Sequence, residues 1–232
     1  MVIKTIASSS KGNCYLLDDS KTQILIEAGI SFNNLIRKVN ISNIKGVLVS
    51  HEHLDHAKGV NDLIRRGKKV YSAKETFNSL NIQNPTLYAK QIKEYELQMI
   101  GTFAIIPFPT QHDAAKPLGF LIKSLYTTEV LVFATDTYYV KDKFDGLNYI
   151  MIECNYSNDI LEQNKSISKT QKNRLYKSHF ELENVKEFLR NQDLSKVKEI
   201  YLMHLSNANS DEERFKNEIM ALTGIPTIVC QE

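Results

Sequence analysis

Within six residues, His51-Glu52-His53-Leu54-Asp55-His56, the chain concentrates three of its six histidines around a carboxylate. Neutral imidazoles and carboxylates are the donors that Zn2+ and Mn2+ accept, and three imidazoles beside an aspartate are the composition of a metal site rather than of a packed core. A divalent ion in such a site polarises a phosphoryl or carbonyl oxygen and brings bound water to ionise near neutrality.

The elements around the cluster explain how it can be presented. Gly46 to Ser50 is short, apolar and β-branched and reads as a buried strand, while Lys58 to Arg66 reads as an amphipathic helix. The cluster is therefore expected on a strand-to-helix loop, where α/β proteins gather ligands and catalytic groups. The other histidines fall at comparable places. His112 follows the run Ile105 to Gln111, His204 follows Glu199 to Met203, and Asp136 closes Leu131 to Thr135. Taken singly, His112 and His204 read equally well as structural histidines, and Asp136 as a helix N-cap. Their shared placement at strand ends favours ligation.

The order H-x-H-x-D-H, then His, then Asp, then His, resembles the metallo-β-lactamase superfamily along nearly the whole chain, from the opening strand to His204. The resemblance implies an α/β fold: a four-layer αβ/βα sandwich of two mixed β-sheets flanked by helices. It implies two divalent ions, Zn2+ or Mn2+, with His51, His53 and His112 on one, Asp55, His56 and His204 on the other, and Asp136 bridging. Two such ions hold a shared hydroxide as nucleophile and steady the leaving oxygen, so Asp55 also counts among the catalytic residues.

Three segments narrow the chemistry. Tyr149 to Glu153 is an apolar strand ending in a carboxylate, and Ser178-His179-Phe180-Glu181 precedes a helical stretch from Leu182 to Leu189. This pair resembles the RNase Z branch, in which a glutamate supports a histidine that protonates the leaving oxygen. Glu153 and His179 would take those roles, against the plainer alternative of a strand-end acid and a helix-start histidine. The opening Ser8-Ser9-Ser10-Lys11-Gly12-Asn13 reads as a hairpin turn whose donors could cradle an anion. Its wording resembles the YycJ-like branch, as do Glu27-Ala28-Gly29, His112 to Gly119 and Ala134 to Thr137. That branch occurs in bacteria and phages and includes a DNA exonuclease.

The expectation is thus a phosphodiesterase or nuclease acting on nucleic acid, DNA before RNA. Substrate contacts would come from Ser10, Lys11, Asn13, Arg174 and Ser178. The alternatives are a small-nucleotide phosphodiesterase resembling the phage anti-Pycsar enzymes, a thioester or lactam hydrolase, and a metal-binding scaffold without turnover. The chain shows neither the long tRNA-binding arm of RNase Z nor the inserted domain of β-CASP nucleases, and Asp55-His56 stands where common class B β-lactamases use a cysteine.

At 232 residues and 42% hydrophobic content the chain reads as one α/β domain over residues 1–232. Three scattered cysteines, Cys14, Cys154 and Cys230, argue for a reduced cytoplasmic setting. An opening that reads directly as a strand suggests neither signal peptide nor membrane span. A net charge of +2 excludes a DNA-coating protein but not a nuclease. Arg65 to Lys69 reads as a solvated helix end, and Lys165, Lys169, Lys172, Arg174 and Lys177 as either a solvated run or a phosphate-gripping rim. A homodimer is implied by the resemblance alone.

Overall fold

A computed structural model of the chain describes residues 1–82 and 87–231. The chain divides into two compact units: residues 1–109 with 114–129 and 231, and residues 110–113 with 130–230.

The first unit opens with β1 (Val2–Ser9), β2 (Gly12–Asp18) and β3 (Gln23–Ile26), followed by α1 (Phe32–Lys38) and β4 (Ile44–Leu48). Two short helices come next, α2 (Leu54–Ala57) and α3 (Val60–Arg65), then β5 (Val70–Ser72), α4 (Lys74–Ser79) and β6 (Ala89–Gln91). These strands form one mixed sheet in the order β1-β2-β3-β4-β5-β6. The β1, β2 and β3 pairings are antiparallel, and those from β3 to β6 are parallel. Parallel strands carry side chains buried on both faces, which is why Leu25, Val47 and Val70 are fully buried. Phe32 and Leu35 of α1, Val60 and Leu63 of α3 and Phe77 of α4 join them in one apolar cluster. The unit is completed by an antiparallel set, β7 (Gln98–Ile100), β8 (Phe103–Pro109) and β9 (Leu118–Ser124).

The second unit holds β10 (Val130–Ala134), β11 (Tyr149–Glu153), α5 (Asn158–Gln163), α6 (Lys169–Ser178), α7 (Leu182–Arg190), β12 (Glu199–Met203), α8 (Glu212–Thr223) and β13 (Thr227–Val229). Its four strands lie in the order β13-β12-β11-β10, all parallel. α7 buries Leu182, Val185, Phe188 and Leu189 and is capped by Glu181, whose carboxylate accepts the Glu183 and Asn184 N–H groups at 2.6 and 3.3 Å. α8 buries Phe215 and Ile219 and ends at Gly224, whose φ of 70° is the left-handed cap a glycine favours. Among the described residues no helix is long and apolar enough to cross a membrane.

Several expectations from sequence change. The helix read from Lys58 to Arg66 is the shorter α3, and a separate helix, α2, starts inside the histidine cluster, so Asp55 and His56 are helical while His51 and His53 lie on the loop before it. β6 and β7 carry no apolar alternation and arise from pairing with β5 and β8. α6 also escapes periodicity, because Ser178 is its one buried residue. Its legible signal was the capping box, in which the Ser168 hydroxyl accepts the Gln171 N–H at 3.2 Å and the Gln171 side chain accepts the Ser168 N–H at 2.8 Å.

Candidate metal centre

In the first unit, β3 and β4 run parallel with Ile26 opposite Leu48, so the residues after each strand leave the same sheet edge. After β4 the chain leaves the sheet and bends at Glu52, and His51 and His53 stand on either side of that bend. His51 Nε2 lies 3.1 Å from His53 Nδ1, and the Ser50 hydroxyl lies 2.8 Å from His51 Nδ1. The His53 carbonyl then accepts the N–H groups of His56 and Ala57, both at 2.9 Å, and starts α2. That turn brings His56 back under His51, with ring centroids 4.3 Å apart, and places its Nε2 3.4 Å from Asp55 Oδ2.

Glu27, the first residue after β3, supplies the acceptor this cluster needs. Its φ of 65° is uncommon for a residue with a side chain. The carboxylate is fully buried, accepts the Ser50 N–H at 3.2 Å and lies 3.6 Å from His56 Nδ1. Burial pushes its pKa up, against the opposing influence of His56 and the Ser50 donors. The next two residues strap α2 to β2. Ala28 N–H donates to the His56 carbonyl at 2.8 Å and Gly29 N–H to the Asn13 carbonyl at 2.8 Å. A Cβ on Gly29 would stand 1.7 Å from the Asp55 carbonyl oxygen, so this approach admits only glycine. The sequence reading treated Glu27-Ala28-Gly29 as a marker of resemblance and missed Glu27 as a supporting residue.

The second unit places its own candidate residues at three parallel strand ends. β10 and β11 pair with Ala134 opposite Ile152, and β11 and β12 with Glu153 opposite Met203, so Asp136, Glu153 and His204 emerge side by side. Asp136 and His204 both have positive φ, 42° and 53°. Backbone strain of this kind persists only where its surroundings enforce it, and it collects at functional sites. His204 Nδ1 lies 3.1 Å from Asp136 Oδ1 and 2.9 Å from Glu153 Oε1.

Glu153 is the centre of this arrangement. Fully buried, it accepts the Thr137 and Phe180 N–H groups on Oε2, both at 3.1 Å, and faces His179 Nδ1 at 2.6 Å and His204 Nδ1 at 2.9 Å on Oε1. Desolvation works to raise its pKa, but the His179 charge and these donors bring it below the ordinary carboxylate value. For His179, burial works to lower the pKa, and the Glu153 charge and hydrogen bond outweigh it, so the net shift is upward. Burial shifts His112 the other way, to a lowered pKa, only partly offset by Asp136. His112 Nδ1 donates to the Ser178 carbonyl at 2.8 Å, which leaves Nε2 as the lone-pair nitrogen, 3.5 Å from Asp136 Oδ2. A shift toward the neutral form at His112 and toward the protonated form at His179 is the division of labour a ligand and a general acid require.

The residues expected to touch substrate separate into two kinds. Ser10 and Lys11 are exposed on the β1–β2 turn, and Arg174 is exposed with its Nε 2.7 Å from Asp113 Oδ2. Asn13 and Ser178 are buried and structural in their contacts. The Asn13 amide donates to the carbonyls of Ser9 and Asp55 at 3.1 and 3.2 Å and lies 3.2 Å from His56 Nε2, while the Ser178 hydroxyl donates to the Arg174 carbonyl at 2.7 Å. Asn13 therefore ties β2 to the Asp55 backbone, and the Ser178 hydroxyl closes a bond within its own helix.

The donor chemistry fits divalent cations. Asp136, Glu153, His179 and His204 each present a ligand-type atom, and these atoms all lie within 4.8 Å of one another. In the first unit three imidazoles and Asp55 crowd together around the fully buried His51 and His56. Imidazoles oriented from behind by carboxylates or carbonyls, as His56, His112 and His204 are, have the support that metal-binding histidines show.

Comparison with known proteins gives a concordant picture. Residues 22–205 match the family model described as the beta-lactamase superfamily domain. The chain is 30% identical over 225 residues to exodeoxyribonuclease WalJ of Streptococcus pneumoniae, covering 90% of this chain and 82% of that one. It is also 30% identical over 226 residues to exodeoxyribonuclease YycJ of Bacillus anthracis, covering 90% and 83%. The crystal structure of the metallo-beta-lactamase fold protein YhfI from Bacillus subtilis superposes with a TM-score of 0.73 at 14% identity, over 99% of this chain and 95% of that one. This likeness establishes the fold as α/β with two mixed sheets flanked by helices, as read from sequence.

Proposed function

We propose, from the premise that the chain belongs to the beta-lactamase superfamily, that it is a metal-dependent phosphodiesterase whose substrate is DNA. The relatives bearing the name exodeoxyribonuclease support the substrate class. The observation that carries the chemistry is Glu153, whose one oxygen faces Nδ1 of both His179 and His204. A single carboxylate thereby leaves His204 Nε2 as the ligand nitrogen and favours the protonated form of His179 with Nε2–H as the proton to give.

In this reading His51, His53 and His112 would hold one divalent ion, Zn2+ or Mn2+. Asp55, His56 and His204 would hold the second, with Asp136 available to both. When bound, such ions polarise the phosphoryl group and lower the pKa of water toward neutrality. The protein's own groups do the rest. Glu27 and Asn13 orient His56, the Ser178 carbonyl orients His112, and His179 donates its Nε2 proton to the departing sugar oxygen. Proton donation by a positioned acid is worth about 10²–10⁴ in rate.

A polymer is favoured over a cyclic or other small nucleotide by α6. The helix carries Lys169, Lys172, Arg174 and Lys177 with no acidic residue, has Ser178 as its one buried residue, and ends at His179 as its C-cap. At ~1.5 Å per residue the stretch from Lys169 to Lys177 covers about 12 Å, room for three or four phosphates at the ~3.4 Å rise of a duplex strand. A helix that buries so little of itself gains from a partner, and its charge suits a phosphodiester backbone. The cytoplasmic setting belongs to the same proposal, supported by three buried free cysteines of which Cys14 and Cys154 have thiol pKa values raised by burial. The homodimer that the resemblance implies is checked by light scattering.

Hydrolysis of bis(p-nitrophenyl) phosphate by the metal-loaded protein, with His53→Ala as the blank, tests the reading. Turnover that disappears in the variant supports a phosphodiesterase, and no turnover with either metal at full occupancy overturns it.

A further inference from the structure

Beside the catalytic strand ends, the second unit contains a cavity of about 360 Å³ that no step of the proposed reaction uses. One wall is the segment Tyr138 to Lys143, and the opposite wall is α7 with the two residues after it. The floor is aromatic, made by Phe180 and Phe188, which are buried and whose ring centroids lie 6.4 Å apart. At the mouth stand Tyr138 and Tyr139, 39% and 55% exposed, so two phenol rings are turned to solvent beside an apolar floor. Asn184, Glu187 and Asn191 line the α7 wall at a spacing that keeps them on one helical face.

The cavity's charge and chemistry select its occupant. Lys141 and Lys143 are balanced by Asp142 and Glu187, so the lining is neutral overall and unsuited to a bare phosphate. Aromatic faces together with amides and a carboxylate are instead the groups that hold a planar heterocycle, through stacking and hydrogen bonds along its edge. Position along the chain adds a second argument. Phe180 directly follows the proton donor His179, and Tyr138 is two residues beyond Asp136. With ~3.8 Å between successive Cα atoms, both walls begin within about 8 Å of residues assigned to the reaction. That is nucleotide scale.

We infer that this cavity is a nucleobase subsite, in which one base of the DNA next to the scissile phosphate stacks on Tyr138 or Tyr139 over the Phe180–Phe188 floor, its edge facing Asn184, Glu187 and Asn191. The inference rests on the nuclease reading. It adds a contact that is blind to sequence through stacking and that discriminates among bases through the amide and carboxylate groups.

The test uses the full-length, metal-loaded protein and single-stranded oligodeoxynucleotides with phosphorothioate linkages to slow cleavage. Each carries the fluorescent base 2-aminopurine at one of the first four positions from either end. The expected result is quenching at one position only. Tyr138→Ala/Tyr139→Ala abolishes that quenching and raises the Kd by about five- to a hundredfold, the range for losing one stacked base. Tyr138→Phe/Tyr139→Phe, which keeps the rings, retains both. An abasic residue at the quenched position weakens wild-type binding to the level of the double-alanine variant. Tight binding without quenching at any position, or a double-alanine variant that binds and quenches as wild type does, overturns the subsite and leaves the nuclease reading standing. Failure of the wild type to bind any oligonucleotide overturns both. Because both tyrosines are exposed, the variants keep the core, which circular dichroism verifies.

Discussion

Replacing Glu153 by Gln changes one atom in a fully buried position and reverses the logic of both histidines it serves. Thr137 and Phe180 direct their N–H groups at Oε2, so the amide oxygen of the variant is held there and its NH2 group falls where Oε1 stood. That NH2 then faces Nδ1 of His179 and of His204 at the present 2.6 and 2.9 Å. Each ring can meet it only by turning Nδ1 into an acceptor, which moves the proton to Nε2. For His204 this caps the ligand nitrogen, and for His179 it removes the counter-charge that keeps the ring protonated. Hydrogen bonds to charged groups contribute about 1.5–3 kcal/mol each, so the two together are worth roughly 3–6 kcal/mol. DNA hydrolysis should fall by about 10²–10⁴ from loss of the acid alone, and further through reduced metal content.

Two substrates separate these effects. The nitrophenolate of bis(p-nitrophenyl) phosphate leaves without a proton, whereas a sugar oxygen does not. His179→Ala should therefore slow DNA cleavage far more than nitrophenyl ester hydrolysis and keep its metal, while Glu153→Gln should slow both and lose metal. The pH dependence follows from the signs. The folded-state pKa of His179 is raised, so its pairing with Glu153 stabilises fully below the unfolded value of about 6.5 and is lost as pH rises through the folded value. The alkaline limb of the DNA-cleavage profile should move to lower pH in Glu153→Gln. Metal analysis, thermal unfolding against pH and steady-state rates provide the readouts. A Glu153→Gln protein that binds full metal and cuts DNA at the wild-type rate would refute this reasoning, as would a His179→Ala protein equally impaired on both substrates.

Other consequences are simpler to check. Gly29→Ala sets a methyl group 1.7 Å from the Asp55 carbonyl oxygen, and overpacking of this kind costs about 1–3 kcal/mol or more; urea unfolding should show the loss together with weaker metal binding. Glu27→Asp draws the carboxylate back from Ser50 N–H and from His56 Nδ1, now 3.2 and 3.6 Å away. Metal affinity measured by competition with a chelator should drop by about 10–100-fold, the usual effect of losing an outer support. Converting Lys165, Lys169 and Lys177 together to Gln should reduce the slope of log affinity for DNA against log salt by about 2–3, since each phosphate contact contributes ~0.7–0.9. An unchanged slope would remove α6 from the substrate path.

The contrast between Glu153 and Glu27 shows what a sequence makes legible. Glu153 closes a run of four apolar residues and sits 26 positions before a histidine of fitting type, so its role could be proposed from pattern. Glu27 also closes a strand, yet its place beside His56 depends on the parallel pairing of β3 with β4 and on a left-handed backbone, and neither leaves a mark in residue spacing. The histidine cluster was readable because its ligand types are local, while its division between a loop and α2 was not, since a helix as short as Leu54–Ala57 has no periodicity to detect. Asn13 and Ser178 were read as exposed substrate contacts because polar residues in Ser- and Lys-rich segments usually face water. Asn13 is instead turned inward to the backbone of Asp55, 42 positions away, and the Ser178 hydroxyl to the Arg174 carbonyl of its own helix. α6 shows the reverse case, a helix without a buried face that only its capping box announces.

The central claim is that the imidazole and carboxylate set equips this chain to cut DNA with divalent metal. The most direct test strips the purified protein with a chelator, restores Zn2+ or Mn2+, and follows an end-labelled oligodeoxynucleotide beside a cyclic nucleotide. The account predicts that DNA is degraded only after metal is restored, and not by His53→Ala under the same conditions. DNA left intact by fully metal-loaded protein while the cyclic nucleotide is opened would contradict it.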